Sequence, residues 1–121
     1  MEFRCFKDWL EELKKISKIY PVLVEGKRDV EALKRLGVTN TIDLSGKRYA
    51  DIVDILEKKA QGAVILYDLD PHGERISKKI SELLRSQGFK VFLDFRDYLK
   101  EKGIIHIEDL YRLSYGKDRN S

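Results

Sequence analysis

The sequence holds little cysteine, methionine, tryptophan or proline, no long apolar run and no large excess of either charge. Cys5 stands alone, which excludes a disulfide framework. No apolar run approaches the roughly 18 residues that a membrane-spanning helix needs. The opening stretch MEFRCFKDWLEELKK carries acids where a secretory signal would carry an apolar core. These absences predict a cytoplasmic protein without a membrane partner. Against 21 Asp and Glu stand 24 Lys and Arg, a net charge of +3. An excess that small argues for nucleic acid only if it is concentrated in one place. Repeats, low-complexity tracts and linkers are missing, so residues 1–121 read as a single domain. What is present is ordinary globular material: 42% apolar and 37% charged residues, with a mean hydropathy of −0.44.

Apolar periodicity divides the chain. Phe6, Trp9, Leu10, Leu13, Ile16 and Ile19 recur at helical spacing and predict an amphipathic helix over 6–19, stopped by Pro21. Val22-Leu23-Val24 is wholly apolar, as a buried strand is, and ends in Glu25-Gly26. A helix follows from about Lys27 to Leu36, then a strand over Thr41–Leu44, a turn at Ser45-Gly46 and a helix bearing Ile52, Val53, Ile55 and Leu56. Ala63 to Tyr67 is the most apolar stretch and reads as a central strand running into Asp68-Leu69-Asp70-Pro71-His72-Gly73. Ile76, Ile80, Leu83 and Leu84 mark another helix, Lys90 to Phe95 a fourth strand, and 96–115 a helical extension broken at Gly103. Lys117 to Ser121 is expected to fray. The core therefore spans about 20–95. Its alternating strands and helices predict an α/β fold: a parallel sheet with helices on both faces.

Ligands of open parallel sheets gather beyond the carboxyl ends of the strands, where strand order reverses. Glu25 ends the first strand there, and Asp68 and Asp70 follow the third. With strand order 2-1-3-4, those two strands are neighbours and the acids converge. Close carboxylates repel, by up to about 4 kcal/mol per pair at 4 Å and an effective dielectric near 20. A divalent cation relieves that repulsion, and an all-oxygen set favours Mg²⁺, or Mn²⁺, over zinc. Taken singly, each acid has a plainer explanation. Glu25 could pair with Lys27 or Arg28, and Asp70 could cap the following helix. Two such sites, each behind an apolar strand and each followed by glycine, favour the metal. Gly26 is expected to serve a tight turn, and Gly73 to admit a ligand close to the backbone.

At these residues the chain resembles the Toprim family, shared by topoisomerases, bacterial primases and repair proteins. The family pattern is an apolar strand ending in Glu-Gly, here Val22 to Gly26, and a later one ending in Asp-x-Asp, here Val64 to Asp70. Asp68 to Ile76 is similar to the Asp-x-Asp-x-x-Gly-Glu-x-Ile form of type IA topoisomerases and of the bacterial maturase of the smallest ribosomal RNA. Overall the chain looks like one of the small stand-alone Toprim proteins of archaea. The resemblance implies the four-stranded Toprim sheet and one or two Mg²⁺ ions held by Glu25, Asp68 and Asp70. It further implies proton transfer at a sugar oxygen by Glu25 as the catalytic residue. Topoisomerases and primases require additional domains, so neither activity is expected of this polypeptide alone.

Lys47 and Arg48 open a helix at the same edge, and Lys27, Arg28, His72 and Arg75 stand at equivalent places. Together they are expected to form a phosphate-binding rim around the acidic centre. His106 reads as structural. Trp9, Phe3, Phe6, Phe92 and Phe95 read as core, not as a base-stacking platform. Asp-Leu-Asp also opens haloacid-dehalogenase phosphatases, but on their first strand and before Gly-Thr or Gly-Val, so that reading fails. The expectation is a Mg²⁺-dependent nucleic-acid phosphodiester enzyme, a nuclease acting on RNA or DNA. The alternative is a non-catalytic module that binds metal and nucleic acid within a larger repair or RNA-processing complex. A homodimer is compatible with either.

Overall fold

A computed structural model describes residues 1–111. The expected end of the helical extension at Tyr115 and the fraying tail from Lys117 lie outside them. The elements run α1 (Phe6–Ile16), β1 (Val22–Val24), α2 (Lys27–Arg35), β2 (Thr41–Asp43) and α3 (Tyr49–Glu57). They continue with β3 (Gly62–Ile65), α4 (Pro71–Ser86), β4 (Lys90–Phe92), α5 (Asp94–Glu101) and a 3₁₀ turn at Ile107–Asp109. All strand pairings are parallel, in the order β2-β1-β3-β4, so the sheet has the topology the two acidic motifs imply. Among the described residues, no helix is long and apolar enough to cross a membrane.

Alternation along the two central strands sorts the core into two layers. Val22 and Val24 of β1, with Val64 and Leu66 of the third strand and its extension, face Trp9, Leu13, Leu33, Phe95 and Leu99 from α1, α2 and α5. Leu23, Ala63, Ile65 and Tyr67 face Ile52, Leu56, Ile80 and Leu84 from α3 and α4. Every residue of β1 and β3 is buried, as expected for strands covered on both sides. At the start of β3, a Cβ on Gly62 would come 2.7 Å from the Lys90 carbonyl, so only glycine lets β4 lie this close.

The third strand stops at Ile65, two residues before the Tyr67 that the sequence suggests, and the structure departs further from the sequence reading at two other element ends. The first helix stops at Ile16, the Ser17 hydroxyl donates to the Lys14 carbonyl, and Ile19 swings out to 67% exposure instead of joining the core. The fourth strand stops at Phe92. Asp94 and Asp97 sit in the first turn of α5, where the positive end of the helix dipole favours them, while Phe95 and Leu99 are buried on one helical face. Phe95 is thus a helical core residue, and the Trp9 indole N–H donates to its carbonyl at 2.9 Å.

Candidate metal centre

The β1–β3 register pairs Val22 with Val64 and Leu23 with Ile65. Carried forward, it sets Glu25 opposite Tyr67 and places Asp68 one residue beyond. Strand alternation then sends Glu25 toward the α3/α4 layer and Asp68 toward the layer of α2 and α5. The side chains follow this parity. Glu25 Oε1 lies 3.2 Å from Nε2 of His72 on α4. Asp68 instead turns to the segment after α5. Its Oδ1 accepts the Ile107 N–H at 2.9 Å, and its Oδ2 lies 3.3 Å from His106 Nδ1.

Asp70 takes the capping part: its Oδ1 accepts the Gly73 N–H at 2.7 Å at the start of α4. It also joins a cluster in which one ligand atom each from Asp68, Asp70 and His106 lies within 4.8 Å of the other two. Glu25 is not one of these three. Two carboxylates and an imidazole on that scale are a donor set that a divalent cation fits. The hydrogen bond to Asp68 also lifts the pKa of His106 above its usual value.

Asp29, in the first turn of α2, is only 7% exposed and its pKa is pushed up to about 7. Burial is the main cause, followed by the negative charges of Asp68, Glu108 and Glu25. Acids that follow β1 and β3 and one in the 3₁₀ turn thus bear on Asp29 at this edge. Tyr67, on the Glu25 side, has its phenol pKa raised by burial and then by Glu25, which keeps it protonated.

The Asp68 loop is clamped from behind by Arg96 of α5, which is 4% exposed. Its Nε donates to the Tyr67 carbonyl at 3.0 Å, Nη2 to the Asp68 carbonyl at 2.6 Å, and Nη1 to the Glu74 carboxylate. The Leu69 N–H donates to the Ile105 carbonyl at 2.7 Å, so the segment after Gly103 lies across the loop. A Cβ on Gly73 would come within 2.0 Å of the Asp68 carbonyl. That glycine therefore serves the loop's own backbone, not the approach of a ligand. Gly26 is extended at φ −160° with nothing near a Cβ, so the expected tight turn does not require it.

The expected basic rim divides in two. Lys27 and Arg28 border a groove with Glu31, Arg35, Glu108 and Tyr111, and Arg28 pairs with Glu108 at 4.0 Å. Lys47 and Arg48 border a separate cavity that Glu25 and His72 also line. Arg48 caps α3 through Asp51, its Nε 3.2 Å from that carboxylate. Arg75 is exposed at the start of the second turn of α4 and lines neither space. His106, which reads as structural in the sequence, instead joins Asp68 and Asp70, and sequence reasoning passed over Asp29 and Arg96. Parity along the strands could have separated Glu25 from Asp68, whereas nothing distinguishes Arg96 among 24 basic residues.

Comparison with known proteins gives the family and the fold. The Toprim domain model matches residues 21–95. The UPF0292 protein of Methanocaldococcus jannaschii is 36% identical, over 90% of this chain and 89% of its own length. Its counterpart in Pyrococcus furiosus is 34% identical, over 92% of this chain and 85% of its own. A solved structure of a protein from Aquifex aeolicus shares 55% identity at a TM-score of 0.84, covering 88% of this chain and 98% of that one. Toprim domains generally bind divalent metals and typically act on nucleic acids. More than half of the residues fall within the matched span, and the chain belongs to the Toprim family.

Proposed function

We propose that this protein is a Mg²⁺-dependent nuclease that cleaves phosphodiester bonds of RNA or DNA. A fold alone does not assign a reaction, so the reading rests on the site. The observation that carries it is the cluster of Asp68, Asp70 and His106, with Glu25 at the end of the adjoining strand. Asp68 and Asp70 would hold the ion, with His106 beside them, while Glu25 would stand next to His72 on the α3/α4 side of the same sheet edge. A bound Mg²⁺ or Mn²⁺ supplies charge neutralisation at phosphate oxygens. An imidazole among the donors leaves Mn²⁺ a good substitute.

The remaining work falls to side chains of this chain. Glu25, with its side chain 39% exposed and hydrogen-bonded to His72, is accessible for moving a proton at a sugar oxygen. Arg96 positions the Asp68 loop and does not itself reach the substrate side. Lys47 and Arg48 line the cavity beside Glu25 and would bind the flanking phosphate.

The test is cleavage of end-labelled structured RNA and single-stranded DNA with Mg²⁺, Mn²⁺ or EDTA. Parent protein should cut with either metal, and Glu25→Gln and Asp68→Asn should each lose at least about a hundredfold in rate, in line with a general acid–base contribution. Cleavage by both variants at the parent rate would overturn the reading. Metal-dependent nucleic-acid binding with no turnover on any substrate would establish the non-catalytic module instead.

A further inference from the structure

A cavity of about 420 Å³ opens between α3 and α4, beside Glu25. Its floor is apolar: Leu44, Ile52 and Ile80 are buried there, and the ring of Tyr67 forms part of the wall. Its mouth is polar, with Lys47 and Arg48 entering from the start of α3 and His72 from α4. Tyr49, 40% exposed, offers an aromatic face at the same opening. Tyr67, 3% exposed and with its carbonyl taken by Arg96, lines the same cavity. Its phenol can donate to an acceptor held there.

We propose that this cavity receives the base of one unpaired nucleotide of the substrate, with its phosphate between the Lys47–Arg48 rim and the carboxylate edge. The assignment rests on the nucleic-acid reading above. A space of this size suits a small molecule and is too small for a base pair still stacked in a duplex. An apolar floor would be wasted on phosphate alone, and the two cations at the mouth disfavour an uncharged apolar occupant. A nucleotide satisfies all three parts. Its flat base covers the apolar floor and packs against Tyr49, its ring nitrogens and carbonyls accept from Tyr67, and its phosphate meets the cations. Single-stranded recognition commonly splays a base into such a pocket.

The test compares adenosine 5′-monophosphate and uridine 5′-monophosphate with ribose 5-phosphate, titrated by NMR in EDTA so that metal plays no part. Parent protein should bind at least one nucleotide about tenfold more tightly than the base-free sugar phosphate, the gain expected from burying and stacking one base. Ile76→Phe, which fills the half-buried α4 wall, should abolish the preference while leaving ribose 5-phosphate binding unchanged. Tyr49→Ala, at an exposed position, should reduce it several-fold and serves if the filled variant does not fold. Equal binding of all three probes by parent protein overturns the assignment, as does a preference that survives in every folded variant. Asp68→Asn separates this inference from the nuclease reading. A retained base preference supports the cavity assignment whether or not the parent protein cleaves.

Discussion

Asp68 and Glu25 follow neighbouring strands of one sheet, and their surroundings differ in kind. The Asp68 side chain is 24% exposed, with both oxygens engaged by the segment after α5 and its backbone carbonyl gripped by a buried guanidinium. The Glu25 side chain is 39% exposed and hydrogen-bonded to another exposed side chain, His72, at the edge of an open cavity. One side is built to hold a fixed position against like charge. The other can change partner without disturbing the core. A site that needs both a rigid cation holder and an adaptable proton carrier gains from this division.

The largest expected effect tests the clamp. Arg96→Met leaves the Tyr67 and Asp68 carbonyls without their donor, at about 1–3 kcal/mol each. Its urea midpoint should fall accordingly, and the metal-dependent rise in Tm should disappear. A midpoint equal to the parent's would mean that the Asp68 loop is held by something else. The next effect separates the two acids. At a Mg²⁺ concentration near 100 times its Kd, parent protein should gain about 2.7 kcal/mol. Asp68→Asn should lose that gain in thermal melts, whereas Glu25→Gln should keep most of it. Equal losses would erase the distinction between the two sides.

Asp29 sharpens the comparison from beneath. Its folded pKa of about 7 exceeds the ordinary value of 3.8, so the carboxylate costs nothing well below pH 4, and the cost grows until the pH passes about 7. In EDTA, Asp29→Asn should therefore match the parent near pH 4 and melt a few degrees higher at pH 8. Bound metal should shrink the difference. The smallest effect belongs to Glu74, whose hydrogen bond from Arg96 holds its carboxyl below the usual carboxylate range. The contribution is present above a carboxylate's ordinary pKa and lost as pH falls through the folded value. Because Glu74 is 44% exposed, Glu74→Gln should cost at most about 1 kcal/mol at pH 7. Melts at pH 7 and pH 3 should show the gap narrowing in acid.

Much of the sheet was legible because β1 and β3 are short, wholly apolar and abruptly ended by acids, leaving little choice of register or direction. The edge elements were harder. Val91-Phe92-Leu93 continues smoothly into Phe95 in composition, and only the packing of Phe95 and Leu99 under Trp9 turns that stretch into a helix. Asp68 and Asp70 could be placed from their spacing after one strand. His106 could not, because it enters through a chain reversal 38 residues later, and a histidine between two isoleucines carries no local signature. Arg96 was hidden for a related reason: its partners are main-chain carbonyls, which every residue has.

The indole of Trp9 has a consequence that reaches beyond packing. By holding the Phe95 carbonyl, it anchors the backbone immediately before Arg96, so the first helix underwrites the acidic loop from the far end of the chain. A fragment trimmed to residues 21–95 would retain the strands and the three motif acids yet forfeit this brace, together with the guanidinium and His106. Its aspartates would be left on a slack tether, and weak metal uptake by such a fragment would describe the trimming rather than the protein.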